Sequence, residues 1–112
     1  MSGDTTVRNY VNGEWVEPTS GDSQPVVNPA TGETLAEVGF SSPADVDDAV
    51  TTAQRAFEDW RNRPVEERIQ PLFRLKELLE EHHDELAEIL VREHGKTVGE
   101  AKGELRRGIE NV

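Results

Sequence analysis

No cysteine occurs among the 112 residues. That excludes from them a disulfide framework, a thiolate metal site and a thiol nucleophile. Long apolar runs are also missing: no stretch approaches the roughly 18 residues that a membrane-spanning helix needs. The opening Met-Ser-Gly-Asp-Thr-Thr lacks the charged-then-apolar order of a signal peptide, so the expectation is a soluble, cytoplasmic chain. Bases are scarce, 12 Lys and Arg against 23 Asp and Glu, giving a formal net charge of −11. A field of that sign repels phosphate backbones and anionic lipid headgroups, so neither nucleic acid nor a membrane surface is expected as a partner. Lys is the scarcer base, three against nine Arg. An acidic surface poor in Lys fits a high-salt cytoplasm, where screening removes self-repulsion, and fits an ordinary acidic protein as well. Leu, Ile, Val and Phe together number 26, just above the roughly 20% below which a highly charged chain is expected to stay disordered. One domain with a thin core is the expectation.

What is present divides into two textures. Arg8 to Val11 and Glu14 to Glu17 flank Asn12-Gly13, a pair that suits a type I′ hairpin turn because both residues tolerate positive φ. A loop rich in Ser, Gly and Pro follows, then Pro25-Val26-Val27-Asn28 and the turn Pro29-Ala30-Thr31-Gly32. From Thr34 to Phe40 the apolar Ala36, Val38 and Phe40 alternate with Glu37 and Gly39. This half is expected to form three or four short antiparallel strands over about residues 8–41.

The second half has helical periodicity. Ser42 is a good N-cap, Pro43 suits the first helical position, and Asp45 can complete a capping box. The stripe Val46, Ala49, Val50, Ala53, Phe57 and Trp60 predicts a helix over about 43–60. Ile69, Leu72, Phe73, Leu75, Leu78 and Leu79, followed by Leu86, Ile89 and Leu90, predict a second over about 65–94. Pro71 should kink it or delay its start, because Pro cannot donate to the carbonyl four residues earlier, and Gly95 should cap its end. Thr97 and Glu100 form another capping box and open a third helix over about 97–112, with Ala101, Leu105, Ile109 and Val112 on one stripe. No closing signal is read after that stripe, so a piece of a longer protein is the expectation. A helical layer on so small a set of strands would leave apolar surface on both and call for a larger partner layer.

The candidate chemistry is sparse. Gly95-Lys96-Thr97 looks like the tail of a phosphate-binding loop, but that pattern requires a Gly where Leu90 stands. His82 and His83 are adjacent and cannot share a helix face as ligands at i and i+4 do; among Glu80, Glu81, Asp84 and Glu85 they read as a solvated turn. His94 beside Glu93 has no nucleophile with it and reads as a helix-end residue. Arg106-Arg107-Gly108 is the stronger feature, since guanidinium binds a carboxylate through two parallel hydrogen bonds. The plain alternative is pairing with Glu104, Glu110 or a glutamate on the previous helix.

The order of these motifs resembles the N-terminal segment of the aldehyde dehydrogenase superfamily. It is carried by Tyr10-Val11-Asn12-Gly13-Glu14-Trp15-Val16, then Val27-Asn28-Pro29-Ala30-Thr31-Gly32-Glu33, Asp47 to Phe57 with Trp60, and Glu93-His94-Gly95-Lys96. The ending Glu104 to Val112 looks most like the CoA-acylating methylmalonate- or malonate-semialdehyde group. Pro71 departs from the more usual polar residue there. The resemblance implies an α/β chain that opens the cofactor-binding domain, in an enzyme several times longer that oxidises a small semialdehyde with NAD and CoA, loses carbon dioxide and forms a homo-oligomer, a tetramer. It implies that the catalytic Cys and Glu, the oxyanion-hole Asn and the cofactor motif lie beyond residue 112, and that the segment alone is inactive. It also implies two roles within the segment: Arg107 as the substrate-carboxylate residue, and Glu93, with backbone carbonyls near Val26 and Val27, as the lining of a monovalent cation site. A non-acylating succinate-type or generic aldehyde dehydrogenase and a free-standing acidic interaction module remain as alternatives.

Overall fold

The structure is a computed structural model that describes residues 6–112; the signal-peptide reading of the first residues lies outside them. The chain forms two compact units, Met1–Val27 with Glu33–Asn62 and Asn28–Gly32 with Arg63–Val112.

The first unit holds all the strands. β2 (Asn9–Val11) and β3 (Glu14–Val16) make the antiparallel hairpin, with Val11 opposite Glu14. Asn12 and Gly13 take φ of 54° and 78° at its turn, the positive pair that matches the right-handed twist of the flanking strands. A second sheet has the order β1 (Thr6–Val7), β5 (Thr34–Gly39), β4 (Ser23–Val27). β4 runs antiparallel to β5, so the strands expected over about residues 8–41 are present and antiparallel; β1, just before that range, adds a parallel pairing to β5. A two-residue strand carries no periodicity that could reveal its pairing. Pro25 is accommodated because β4 is an edge strand, where its missing N–H breaks no ladder.

α1 (Pro43–Trp60) begins where the sequence placed it. Ser42 N–H donates to Asp45 Oδ2 at 2.8 Å and Asp45 N–H to Ser42 Oγ at 3.2 Å, closing the capping box. Thr19 adds its N–H to Asp45 Oδ2 at 2.9 Å and its hydroxyl to Oδ1 at 2.8 Å, clipping the preceding loop to the helix start. Those backbone donors, Thr19 first, lower the Asp45 pKa to about 2. No residue of α1 is buried, and Val46, Val50, Phe57 and Trp60 on its apolar stripe are exposed.

The second unit is helical. The single helix expected over 65–94 is three: α2 (Val65–Arg68), α3 (Gln70–Glu81) and α4 (His83–His94). Pro71 sits in the first turn of α3, where a missing N–H costs nothing, so the delayed start is the outcome. The second break falls at His82, whose φ of −97° and ψ of 16° leave the helical region. Its ring pairs with Glu85 at 3.0 Å in solvent. His83 departs from the solvated-turn reading: it is half-buried, and its Nε2 donates to the Lys102 carbonyl at 3.3 Å. Gly95 closes α4 in the left-handed conformation, φ 78°. α5 (Val98–Glu110) opens on the Thr97–Glu100 capping box. Asn111, still in the right-handed helical region at φ −84°, donates its side-chain amide to the Arg107 carbonyl at 2.7 Å.

The buried apolar residues among those described are Ala87 on α4 and Ala101 and Ile109 on α5. The core is as thin as the composition implied. Leu72, Phe73, Leu75 and Leu78 on α3 are exposed, so the apolar face read from the sequence is real but largely uncovered.

Candidate functional site

α5 has two opposite faces, because residues two apart on a helix lie about 200° apart. Ala101, Leu105 and Ile109 turn inward; Ala101 and Ile109 are fully covered and Leu105 is half-buried. Gly99, Gly103 and Arg107, again four apart, turn outward. Together with His94, Gly95, Lys96 and Glu100 they line an open cleft of about 720 Å³. A Cβ built on Gly99 or Gly103 would meet nothing within 4 Å, so the helix backbone itself is the floor of this cleft.

The two adjacent arginines have different fates. Arg106 donates from both ends of its fork to Glu80 on α3, Nη1 to Oε1 at 2.6 Å and Nη2 to Oε2 at 2.9 Å. Those bonds hold the Glu80 carboxyl below its usual range and raise the guanidinium further. Arg107, rotated by one residue, is exposed and its guanidinium has no hydrogen-bond or ion-pair partner among the described residues. The plain alternative of internal pairing thus describes Arg106 and not Arg107. The partner is a glutamate two helices earlier, which no helical spacing could have indicated.

Lys96 and Glu100 on the cleft have partners of their own. Lys96 pairs with Glu104, and Lys102 pairs with Asp84 at 2.9 Å. Glu100 accepts from the Thr97 N–H at 3.1 Å and hydroxyl at 2.9 Å, which lowers its pKa. The N-terminus of α5 is therefore closed by its own side chains. With Leu90 inside α4, Gly95-Lys96-Thr97 forms a helix cap and not a phosphate cradle, and these residues do not fit a dinucleotide by themselves. Glu93 is exposed in the last turn of α4. Val26 is half-buried and Val27 exposed at the end of β4, in the other unit. Among the described residues no group of three or more His, Cys, Asp or Glu could hold a metal ion.

A hairpin and small mixed sheet, a long capped helix, and a helical unit whose last helix carries Arg107 on an open cleft define an α/β segment. The model of the aldehyde dehydrogenase family matches residues 15–112, and the chain belongs to that family. It is 49% identical over 111 residues to malonate-semialdehyde dehydrogenase 2 of Geobacillus kaustophilus (strain HTA426), covering 99% of this chain and 23% of that protein. Among solved structures it is similar to the methylmalonate-semialdehyde dehydrogenase of Oceanimonas doudoroffii, with a TM-score of 0.89, 46% identity, and coverage of 96% of this chain and 22% of that one. It is also similar to an NAD-dependent benzaldehyde dehydrogenase from Corynebacterium glutamicum, with a TM-score of 0.88, 35% identity, and coverage of 93% and 23%. The chain thus spans less than a quarter of the length of these relatives.

Proposed function

We propose that this chain is the opening segment of a longer NAD-dependent dehydrogenase that oxidises malonate or methylmalonate semialdehyde, transferring the acyl group to CoA with loss of carbon dioxide, and that Arg107 binds the substrate's carboxylate. The observation that carries the reading is the unequal treatment of the two arginines: Arg106 is forked onto Glu80, while Arg107 lines an open cleft whose one acid, Glu100, is bonded to Thr97. In a protein of net charge −11, an anionic substrate needs a local cation, and a guanidinium stays charged at any working pH. The names of the similar relatives fit a substrate that carries such a carboxylate.

The chemistry divides accordingly. With no Cys in the chain, these residues supply no thiol for a covalent intermediate, and NAD and CoA would be held by residues outside them. The segment alone is proposed to be inactive, and the full-length enzyme a cytoplasmic homo-oligomer. What this segment contributes is orientation: a carboxylate on Arg107 fixes one end of the semialdehyde. In the full-length enzyme, Arg107→Ala should raise KM for the semialdehyde by roughly 10- to 100-fold, the scale of a lost charge-assisted hydrogen bond. KM for an uncharged aldehyde should stay nearly unchanged. Equal effects on both substrates would overturn the assignment.

A further inference from the structure

We infer that Glu80 and Arg106 are positioning residues whose fork fixes the rotation of α5 and so aims Arg107 into the cleft. The inference rests on the reading of Arg107 given above. Arg106 and Arg107 are consecutive on one rigid helix, so the direction of one sets the direction of the other, about 100° around the axis. Glu80 lies near the end of α3 and grips Arg106 through two parallel bonds at 2.6 and 2.9 Å. A bidentate contact resists rotation as a single bond does not.

The lever arm makes this matter. An extended arginine carries its guanidinium roughly 8–9 Å from the helix axis, given a Cα radius of about 2.3 Å. A rotation of about 20° would then move that group by about 3 Å, well beyond the roughly 0.5 Å that a binding constellation tolerates. The other polar ties of α5 sit earlier in the helix: Lys96 to Glu104, Asp84 to Lys102 at 2.9 Å, and His83 Nε2 to the Lys102 carbonyl at 3.3 Å. The glycines at 99 and 103 touch nothing with a Cβ and cannot hold the outward face. Beside Arg107 the restraints are the buried Ile109 and the Arg106–Glu80 fork.

The test uses the full-length enzyme with the semialdehyde and, in parallel, a short uncharged aldehyde whose turnover reports that the protein is folded. Glu80→Gln keeps the shape and loses the charge; Arg106→Lys keeps the charge and loses the fork. Each should raise KM for the semialdehyde about tenfold, consistent with a displacement of less than about 1 Å, with kcat and uncharged-aldehyde kinetics within about twofold. The exchange Glu80→Arg with Arg106→Glu rebuilds the pair in reverse and should restore most of the lost KM. Wild-type semialdehyde KM in both single variants overturns the inference. So does an equal loss on both aldehydes, which marks a merely structural role. Failure of the exchange to recover while uncharged-aldehyde turnover is intact overturns it as well. Arg107→Ala measured beside them separates the two readings. A selective Arg107→Ala defect with silent Glu80 and Arg106 variants removes only the positioning role, whereas a non-selective Arg107→Ala defect removes the carboxylate reading and the positioning role with it.

Discussion

Replacing Gly95 with alanine should unlock the end of α4. Gly95 sits at φ 78°, and its added Cβ would lie 2.9 Å from Cγ of Pro29 and 3.7 Å from the Ala30 nitrogen. Two costs add. An L-residue in the left-handed region is disfavoured by roughly 1–2 kcal/mol. A carbon at 2.9 Å is well inside the ordinary contact of about 3.5–4.0 Å, and the atom it meets belongs to a closed ring, so the Pro29 turn has to shift. That turn is itself tied by Gly32 N–H to the Asn28 carbonyl at 2.8 Å and Ala30 N–H to Asn28 Oδ1 at 2.9 Å. Overpacking of this kind costs about 1–3 kcal/mol, for a total of about 2–5 kcal/mol. Native-state amide exchange on the full-length protein reads this directly. The amide of residue 95, bonded to the Val91 carbonyl at 2.8 Å, and those of the last turn of α4 should lose protection by roughly 30-fold to a few thousand-fold, at tenfold per 1.4 kcal/mol. Gly95→Asn shares the Cβ contact but tolerates the backbone, so it should lose less. Pro29→Ala in the Gly95→Ala background removes the offending Cγ and should restore part of the loss, a coupling the double-mutant cycle isolates. Gly103→Ala, in open space within α5, should instead gain about 0.5–1 kcal/mol. Unchanged protection in Gly95→Ala would refute the reasoning, and a loss that Pro29→Ala leaves uncorrected would refute the part assigned to the ring contact.

Two further outcomes follow from the packing and the charges. Ile109 is 2% exposed, so Ile109→Ala should cost about 2–5 kcal/mol in urea unfolding; a loss below about 1 kcal/mol would show that the α5 seam is not a packed core. The Asp45 carboxyl, held to about 2 by the Thr19 and Ser42 donors, should titrate well below the ordinary 3.8 in a carbon-detected NMR experiment. Because its folded pKa is depressed, the stability it contributes is complete above about pH 4 and is lost as pH falls towards 2. Asp45→Asn should flatten that window, and a midpoint near the ordinary value would show that the clip to Thr19 is not formed in solution.

Local chemistry explains which parts of this molecule could be read in advance. Asn12-Gly13, Ser42 with Asp45, Thr97 with Glu100, and Gly95 are signals written within four residues of one another, and each forms as its spacing requires. The break at His82 was not legible, because the apolar pattern of Leu78, Leu79, Leu86, Ile89 and Leu90 continues across it and one residue outside the helical region leaves little trace in a periodicity. The parallel pairing of β1 with β5 joins Thr6 to Glu37, a separation at which no short-range rule operates. In the site, Arg107 could be named from the sequence only through its resemblance to a family. Composition and spacing offered two equivalent arginines.

The sequence by itself determined the caps, the turn, the alternation of strand and helix, the acidic field and the absence of a thiol, because each depends on residues adjacent in the chain or on their sum. The tertiary structure decided which arginine is occupied. Glu80 and Arg106 are 26 residues apart and meet only because α3, α4 and α5 pack into one unit. A side chain's availability is a property of what the fold leaves beside it, and here the fold gives Arg106 a partner and leaves Arg107 facing the cleft.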